Sequence, residues 1–462
     1  MTDAEDTRVL GVGVEAKAID FVPPAQRHGR ANSLLTFWFA SNMQLSLLPI
    51  GAVAAAVGLN VEWAIIAIVI GNLVGALFMA YHSVQGPRMG VPQMIQSRAQ
   101  FGMWGALLPL VIVVFLYLGY FMTGGILGGE ALSSLLHVSI PIGIVIANAL
   151  CLIIAWVGYK LFHSYDRVVA VLSLVIFAIV TVKIIALSGG VHVHATGVNP
   201  ADILLVVAVA ATGQITWAPY VSDYSRYLPE GTSSKAVFWY TYIGSAVGGS
   251  WMECIGGVAA VLFGAAIFSN VPAYFSHFFP AVAWLFLVVF ILGAFSGNFI
   301  NLYGGFLTIL TCISPTGKAV PGWISRIVLT SILAIIGTVV AILASSHILT
   351  VVENFLLLTL YFIVPWTAIN LTDYYLVRRG KYAIGELFKG AGAYGQVNWP
   401  AIGIYVATIA VEVPFVNTTY FTGPVATLLG GGDISWIVGF LFAAAVYYGA
   451  AQLGIVGSVV EG

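Results

Sequence analysis

Uncharged amides stand inside the apolar runs of this chain, each a hydrogen-bonding group where little water is expected. Asn42 and Gln44 interrupt FASNMQLSLLPIG (39–51), Gln214 interrupts ATGQITWAPY (211–220), and Asn298 and Asn301 interrupt GAFSGNFINLYGG (293–305), beside Ser296. A carboxamide donates and accepts without carrying charge, which suits gripping a small polar molecule. The first two runs also hold helix breakers, Pro49 and Gly51 in one, Gly213 and Pro219 in the other. Irregular backbone at membrane depth survives only where it lines a cavity or is covered by protein. Paired interruptions in the two halves of a chain therefore predict inverted repeats with substrate and ion sites near the bilayer midplane.

Other residues read two ways. Tyr117, Tyr120 and Phe121 in FLYLGYFMTGG (115–125) form an aromatic surface at helical spacing, either helix packing or one wall of a site for a flat ligand. Asn298 and Asn301, three residues apart, share roughly one helical face. Glu253 is expected to be a proton-sensitive relay or a packed interior group, and Glu412, just before Pro414, a structural one. Glu130, Lys183 and Glu353 lie near span ends, where snorkelling accounts for them. Asp223 and Arg226 either fix an inner gate or form a surface ion pair, and His192 with His194 reads as solvated loop.

Positioning such groups requires elements that cross a membrane. The chain has 462 residues, 60% hydrophobic and only 8% charged, with a mean hydropathy of +0.99. That is too little polar surface to cover a water-soluble globule. A window of about 20 residues, enough to cross roughly 30 Å of hydrocarbon, gives spans at 34–58, 62–82, 103–130, 140–160, 168–188, 202–221, 236–268, 279–312, 324–345, 350–377, 399–421 and 434–456. The prediction is an all-α polytopic membrane protein with twelve transmembrane helices. Spans 3, 7, 8 and 10 exceed an upright crossing, so tilt, kinks or extension into loops are expected. With both termini cytoplasmic, every one of the 17 basic residues except Lys183 falls on the inner side, a strong positive-inside pattern. The resulting organisation is a soluble tail (1–33), a first repeat (34–188), a second (202–377), two appended spans (399–456) and a short end (457–462).

Several function classes lose support. A net charge of −1 suggests no nucleic-acid partner. Cys151, Cys254 and Cys312 lack metal or redox spacing and read as small buried residues. No GxxxxGK[ST] cradle is present, and the paired glycines Gly124/Gly125 and Gly128/Gly129 lie in an apolar span where they would let helices pack closely. No Ser/His/Asp set, HExxH or carboxylate pair suggests an enzyme. A channel would need a lined pore rather than two unlike broken helices. An amino-acid symporter would need a carboxylate held at the span 1 break, where SNMQ lacks glycines to expose backbone N–H groups. No organic cofactor and no obligatory protein partner are inferred.

Four further stretches carry a resemblance. FVPPAQRHGRANSLLTFWFASN ahead of and into span 1, GPRMGVPQMIQSRAQFG (86–102), APYVSDYSRYLP (218–229) and ENFLLLTLYFIVPWTAINLTDYYLVRRGKY (353–382) occur in the order seen in the nucleobase:cation symporter-1 family. Over essentially its whole length the chain resembles the purine–cytosine permease branch. The resemblance implies a LeuT-like 5+5 inverted repeat plus two C-terminal helices, and import of a small planar nitrogen heterocycle (nucleobase, hydantoin, allantoin or related compound) driven by sodium or protons. Spans 1, 2, 6 and 7 would rock against spans 3, 4, 8 and 9 in the cell membrane.

Carried over by position, substrate contacts fall on Gln44 (beside Asn42), Tyr117, Gly213, Gln214, Asn298 and Asn301. Two departures stand out: Gln214 occupies the place of a stacking aromatic, with Trp217 as its possible replacement, and Phe121 replaces a polar residue. If the coupling ion is sodium, Ala40, Met43, Gly293 and Ser296 fall at its ligand positions, whereas Gly297 stands where a second hydroxyl is expected. Asp223, Arg226 and Glu253 are the gating or proton-coupling candidates.

Overall fold

Segments this apolar leave their backbone amides no water to bond, so each satisfies them internally as helix. The structure, a computed structural model, describes residues 20–157, 159–188, 198–313, 323–390 and 392–457, with the side chains of 157 and 159–164 outside that description. His192 and His194 lie outside the described residues, as do most of the N-terminal tail and the last residues of the chain. Span 1 is two helices, Ser33–Ser41 and Leu47–Ala56; span 6 is Pro200–Ile215 followed by Val221–Ser225. The other spans are single helices: Val61–Ser83, Leu107–Leu136, Ile140–Val157, Tyr159–Ser188, Ser234–Phe263, Ala283–Ile313, Trp323–Ala344, Ile348–Thr372, Trp399–Glu412 and Ser435–Gln452. Eight stretches among the described residues are long and apolar enough to cross a membrane, one of them holding both span 9 and span 10. The shorter apolar helices fall in spans 1, 4 and 11, an arrangement consistent with twelve crossings.

Helix starts follow local chemistry. Asn199 and Asn398 each precede a proline within two residues, and their side chains accept from the N–H of Ala201 and Ala401. The side chain relieves an orphan donor of the first turn, and the proline has none to lose there.

The helices sort into two groups. Span 7 packs on both halves of span 1 and on span 2, which in turn packs on span 6; span 3 packs on spans 4, 8 and 9. Span 5 leans on span 8, and span 10 on span 12. These groups coincide with the two bundles that the family resemblance implies. Within the second, a Cβ on Gly124 or Gly125 would fall 2.3 Å from Asn298 Oδ1 or 2.7 Å from Asn148, in line with the packing reading of these glycines. Within the first, a Cβ on Gly256 would sit 2.0 Å from the Leu48 carbonyl oxygen, and one on Gly51 would collide with the Glu253 carbonyl. Backbone-to-backbone approach is what joins span 1 to span 7.

The breaks differ in detail from expectation. In span 1 the chain unwinds between Asn42 and Ser46, while Pro49 lies in the first turn of the second helix, where a missing N–H is no loss. In span 6 the helix runs through Gly213 and Gln214 to Ile215 and unwinds only at Thr216 and Trp217, before a 3-10 turn at Ala218–Tyr220 that contains Pro219. Gly213 therefore does not open the helix; its bare face makes room for the Glu253 carboxylate, which a Cβ would approach to 2.8 Å.

Gly256→Val should lower the detergent thermal midpoint by the equivalent of about 3 kcal/mol or more, because the side chain meets rigid backbone rather than a movable rotamer. Gly449→Ala, with open space around it, should leave the midpoint unchanged or slightly raised. Thermal unfolding of the two purified variants side by side checks the pair.

Candidate substrate and cation site

The two broken spans, span 3, span 8 and the first half of span 5 enclose a cavity of about 370 Å³. It lies toward the ends where spans 1 and 5 begin and spans 6 and 8 finish. Its walls include Phe37, Ala40, Met43 and Gln44 of span 1, Tyr117 of span 3, and Tyr220, Asp223, Tyr224 and Arg226 beyond the span 6 break. Gly293, Ser296, Gly297 and Ile300 of span 8 complete that side.

Aromatic rings dominate its deep end. Tyr117 and Tyr220 are stacked with centroids 5.3 Å apart at 27°. Trp217 meets both Tyr220 and Trp38 edge-on at 5.4 Å. A small recess adjoins this stack, bounded by Gln44, Leu47, Tyr120, Trp217, Tyr220, Ile300 and Asn301. Tyr120 Oη pairs with Thr216 Oγ1 at 2.8 Å, fixing the unwound turn against span 3. Flat apolar faces thus stand beside two carboxamides, Gln44 and Asn301, an arrangement able to stack a planar ring and hydrogen-bond its edge.

The structure gathers some of the expected residues here and turns others away. Gln44, Tyr117, Ala40, Met43, Gly293, Ser296, Asp223 and Arg226 line the main cavity, and Trp217 and Asn301 the recess. Gln214 faces the other way. Its Nε2 donates to Asn42 Oδ1 (3.1 Å) and Asn72 Oδ1 (2.7 Å), while its Oε1 accepts from Ser245. Asn42 closes the ring by donating to Ser245 Oγ at 3.1 Å, and also bonds the Trp38 carbonyl at 2.8 Å. Asn72 donates onward to Glu253 Oε2 at 2.7 Å, so Glu253 belongs to this fully buried cluster between spans 1, 2, 6 and 7. Asn298 donates to the Phe121 carbonyl and faces Asn148 of span 4, and Phe121 packs against Gly337 and Leu333 of span 9. The departures at Gln214 and Phe121 thus change helix packing rather than the cavity wall. The reason is the late break in span 6: with the helix intact to Ile215, Gln214 keeps the face that looks at spans 2 and 7.

Arg226 donates to the backbone carbonyls of Asp223 (3.2 Å) and Asp20 (2.9 Å), and the Asp223 carboxylate accepts from the N–H of Gln93. These bonds tie the end of span 6 to the tail and to the 2–3 connection. Glu130 is not a snorkelling group: it is fully buried and accepts from the N–H of Val271 at 3.1 Å. Lys183 lies over the Phe279 ring.

Sequence reasoning missed Asp166. It placed the start of span 5 at 168, yet the helix begins at Tyr159, and Asp166, Val169, Ala170 and Ser173 line the cavity. Ser296 Oγ donates to Asp166 Oδ1. Spacing of three, four and seven from an acidic residue was the available signal. Also missed was the polar network below the cavity. Gln93 joins His82 and Gln85, Gln85 joins Asn370, and Gln100 donates to Asp373, which holds Arg378 at 3.1 Å. Beside it Arg98, outside the spans, donates to the Leu387 carbonyl, and burial pushes its guanidinium down to about 10, still protonated at neutral pH.

Residues 21–439 match the family described as permease for cytosine/purines, uracil, thiamine, allantoin. The chain belongs to that family. YxlA of Bacillus subtilis (strain 168), named for purine and cytosine permeation, is 38% identical over 94% of this chain and 95% of its own length. The purine-cytosine permease fcyB of Emericella nidulans is 26% identical, covering 94% and 88%. Among solved structures, the inward-facing conformation of Mhp1 aligns with a TM-score of 0.75 at 19% identity over 95% of this chain and 93% of that one. Mhp1 in a closed conformation with bromovinylhydantoin bound, described as a nucleobase-cation-symport-1 transporter, gives the same score over 96% of both chains. These likenesses establish the LeuT-like fold. The permease is thus a multi-pass membrane transporter and not an enzyme.

For this permease, Gln214→Leu should leave Asn42, Asn72 and Ser245 partly unpaired at about 1–3 kcal/mol, which a fall in the thermal midpoint reports. The same variant should leave the ranking of competing substrates as in wild type, and a changed ranking in a competition assay would return Gln214 to the substrate site.

Proposed function

We propose that this permease imports a small planar nitrogen heterocycle by cation symport, the ring being held between Tyr117 and the aromatic residues that follow the span 6 break. The observation that carries this reading is the Tyr117–Tyr220 stack beside the recess of Gln44, Trp217 and Asn301. Stacking accepts any flat ring, while carboxamides select by the donors and acceptors on its edge. Relatives named as purine-cytosine permeases, a Vitamin B6 transporter of Saccharomyces cerevisiae and a hydantoin permease of Microbacterium maritypicum support that substrate class.

Transport follows alternating access. The cavity lies in the half of the bundle that the positive-inside pattern assigns to the cytoplasm, so this geometry corresponds to an inward-directed state of a protein whose termini both lie in the cytoplasm and whose site is the cell membrane. Residues 34–188 and 202–377 act as the inverted repeats. Substrate drives closure only by binding the closed form more tightly than either open form, and an aromatic pair that shuts on a flat ring provides such a difference. Sodium is the coupling ion in this reading, its family ligand positions Ala40, Met43, Gly293 and Ser296 all lining the cavity.

Uptake of radiolabelled pyrimidines, purines, hydantoins, allantoin and amino acids, with and without sodium, tests the reading. A heterocycle should accumulate in a sodium-dependent way, whereas amino-acid uptake without heterocycle competition would sink it. Tyr117→Ala should weaken apparent affinity about 5- to 150-fold, since stacking is worth about 1–3 kcal/mol per base, while Tyr117→Phe stays near wild type in the same assay.

A further inference from the structure

We propose that Asp166 and Ser173 of span 5 complete a sodium site with Ser296 of span 8 and the carbonyls of the span 1 break. This deepens the reading of a cation-coupled permease and rests on it. Asp166 and Ser173 are seven residues apart, about two helical turns, and both open onto the same cavity as Ala40, Met43, Gly293 and Ser296. Ser296 Oγ donates to Asp166 Oδ1, so the carboxylate already stands within ligand distance of the span 8 hydroxyl. Ser173 Oγ lies 3.7 Å from the point a Gly293 Cβ would occupy, and Ser173 is buried. Met43 belongs to the unwound stretch 42–46, in which the Gln44 and Leu45 carbonyls accept from the N–H groups of Leu47 and Leu48.

Chemistry favours sodium at this position. A small hard cation takes oxygen ligands, and span 8 presents Gly297 where a second hydroxyl would otherwise stand. Span 5 replaces that lost oxygen with Ser173 and adds an anionic one. A carboxylate at this depth favours a counter-charge, and Asp166 is hydrogen-bonded by the Ser296 hydroxyl rather than by a basic group. The other charged groups on the cavity wall are Asp223 and Arg226, and Arg226 is engaged by the Asp20 and Asp223 carbonyls. One carboxylate balances one monovalent ion, whereas a divalent ion would remain half neutralised. An ion so held spans span 1 of one bundle and spans 5 and 8 of the other side, and thereby favours the conformations in which these approach.

Binding of radiolabelled sodium to the purified full-length protein, without substrate, is the direct measurement, followed by sodium activation of heterocycle uptake in proteoliposomes. Wild type should bind saturably. Asp166→Asn should weaken binding about tenfold or more, as expected for loss of a charged partner; Ser173→Ala, a milder change, should weaken it several-fold, and exposed Val171→Ala should match wild type. Asp166-dependent sodium binding without any heterocycle uptake would uphold the site and overturn the substrate reading. Heterocycle uptake that follows a proton gradient, or sodium binding indifferent to both Asp166→Asn and Ser173→Ala, would overturn the site and leave the substrate reading standing.

Discussion

The rest of the structure depends on one constraint: backbone unwound in an apolar medium must find its hydrogen bonds within the protein. Span 1 meets it through the Asn42 side chain and span 6 through Thr216, whose hydroxyl donates to the Gly213 carbonyl. Asn42 bonds back to the Trp38 carbonyl at the end of its half-helix, and Gln214 bonds Asn42, so the two interruptions are tied by a closed cycle through Ser245. The cycle is possible because Gly249 leaves room for it; a Cβ there would overlap Gln214 Nε2 and Asn72 Oδ1. Bare backbone on span 7 and carboxamides on spans 1, 2 and 6 form one device that keeps the breaks in register while their opposite faces stay free for a ligand.

The inner end of the molecule applies the same logic to loops. The stretches that carried the family resemblance are remote in sequence yet meet as one hydrogen-bonded layer. Ser222 and Asp223 after span 6 bond Gln93 of the 2–3 connection, and that connection reaches span 10 through Gln85–Asn370 and Gln100–Asp373. Tyr382 and Tyr447 also donate to Asp373, so span 12 and the segment after span 10 join the layer. The connection 378–398 docks here through the bonds from the N–H groups of Met103 and Trp104 to the carbonyls of Gly395 and Gln396.

Hydrophobicity made the helices legible, because a run that satisfies its own backbone in lipid has one regular solution, while the two bundles were legible only through the family resemblance. Within the site, sequence located residues better than it oriented them. Gln214 and Trp217 are three apart, but the chain unwinds between them, so helical spacing no longer says which way each points. Asn42 and Gln44, two apart, end on opposite sides for the same reason. Asn298 and Asn301 fail differently: their helix is intact, yet span 8 forms the border between bundle and cavity, and a fraction of a turn carries Asn298 to Asn148 and Asn301 to the recess. Asp166 was lost to a boundary drawn from hydropathy, which a charge on the first turns of a helix shifts inward.

The contact between Tyr117 and Tyr220 bears on selectivity in another way. The two rings lie against each other, so in the proposed binding mode a guest between them would exchange one aromatic contact for two. Affinity then reports a difference between guest–host and host–host stacking rather than the guest's stacking alone. In that binding mode the pocket would have a built-in threshold, since molecules with small or weakly polarisable surfaces would gain too little from stacking to part the rings.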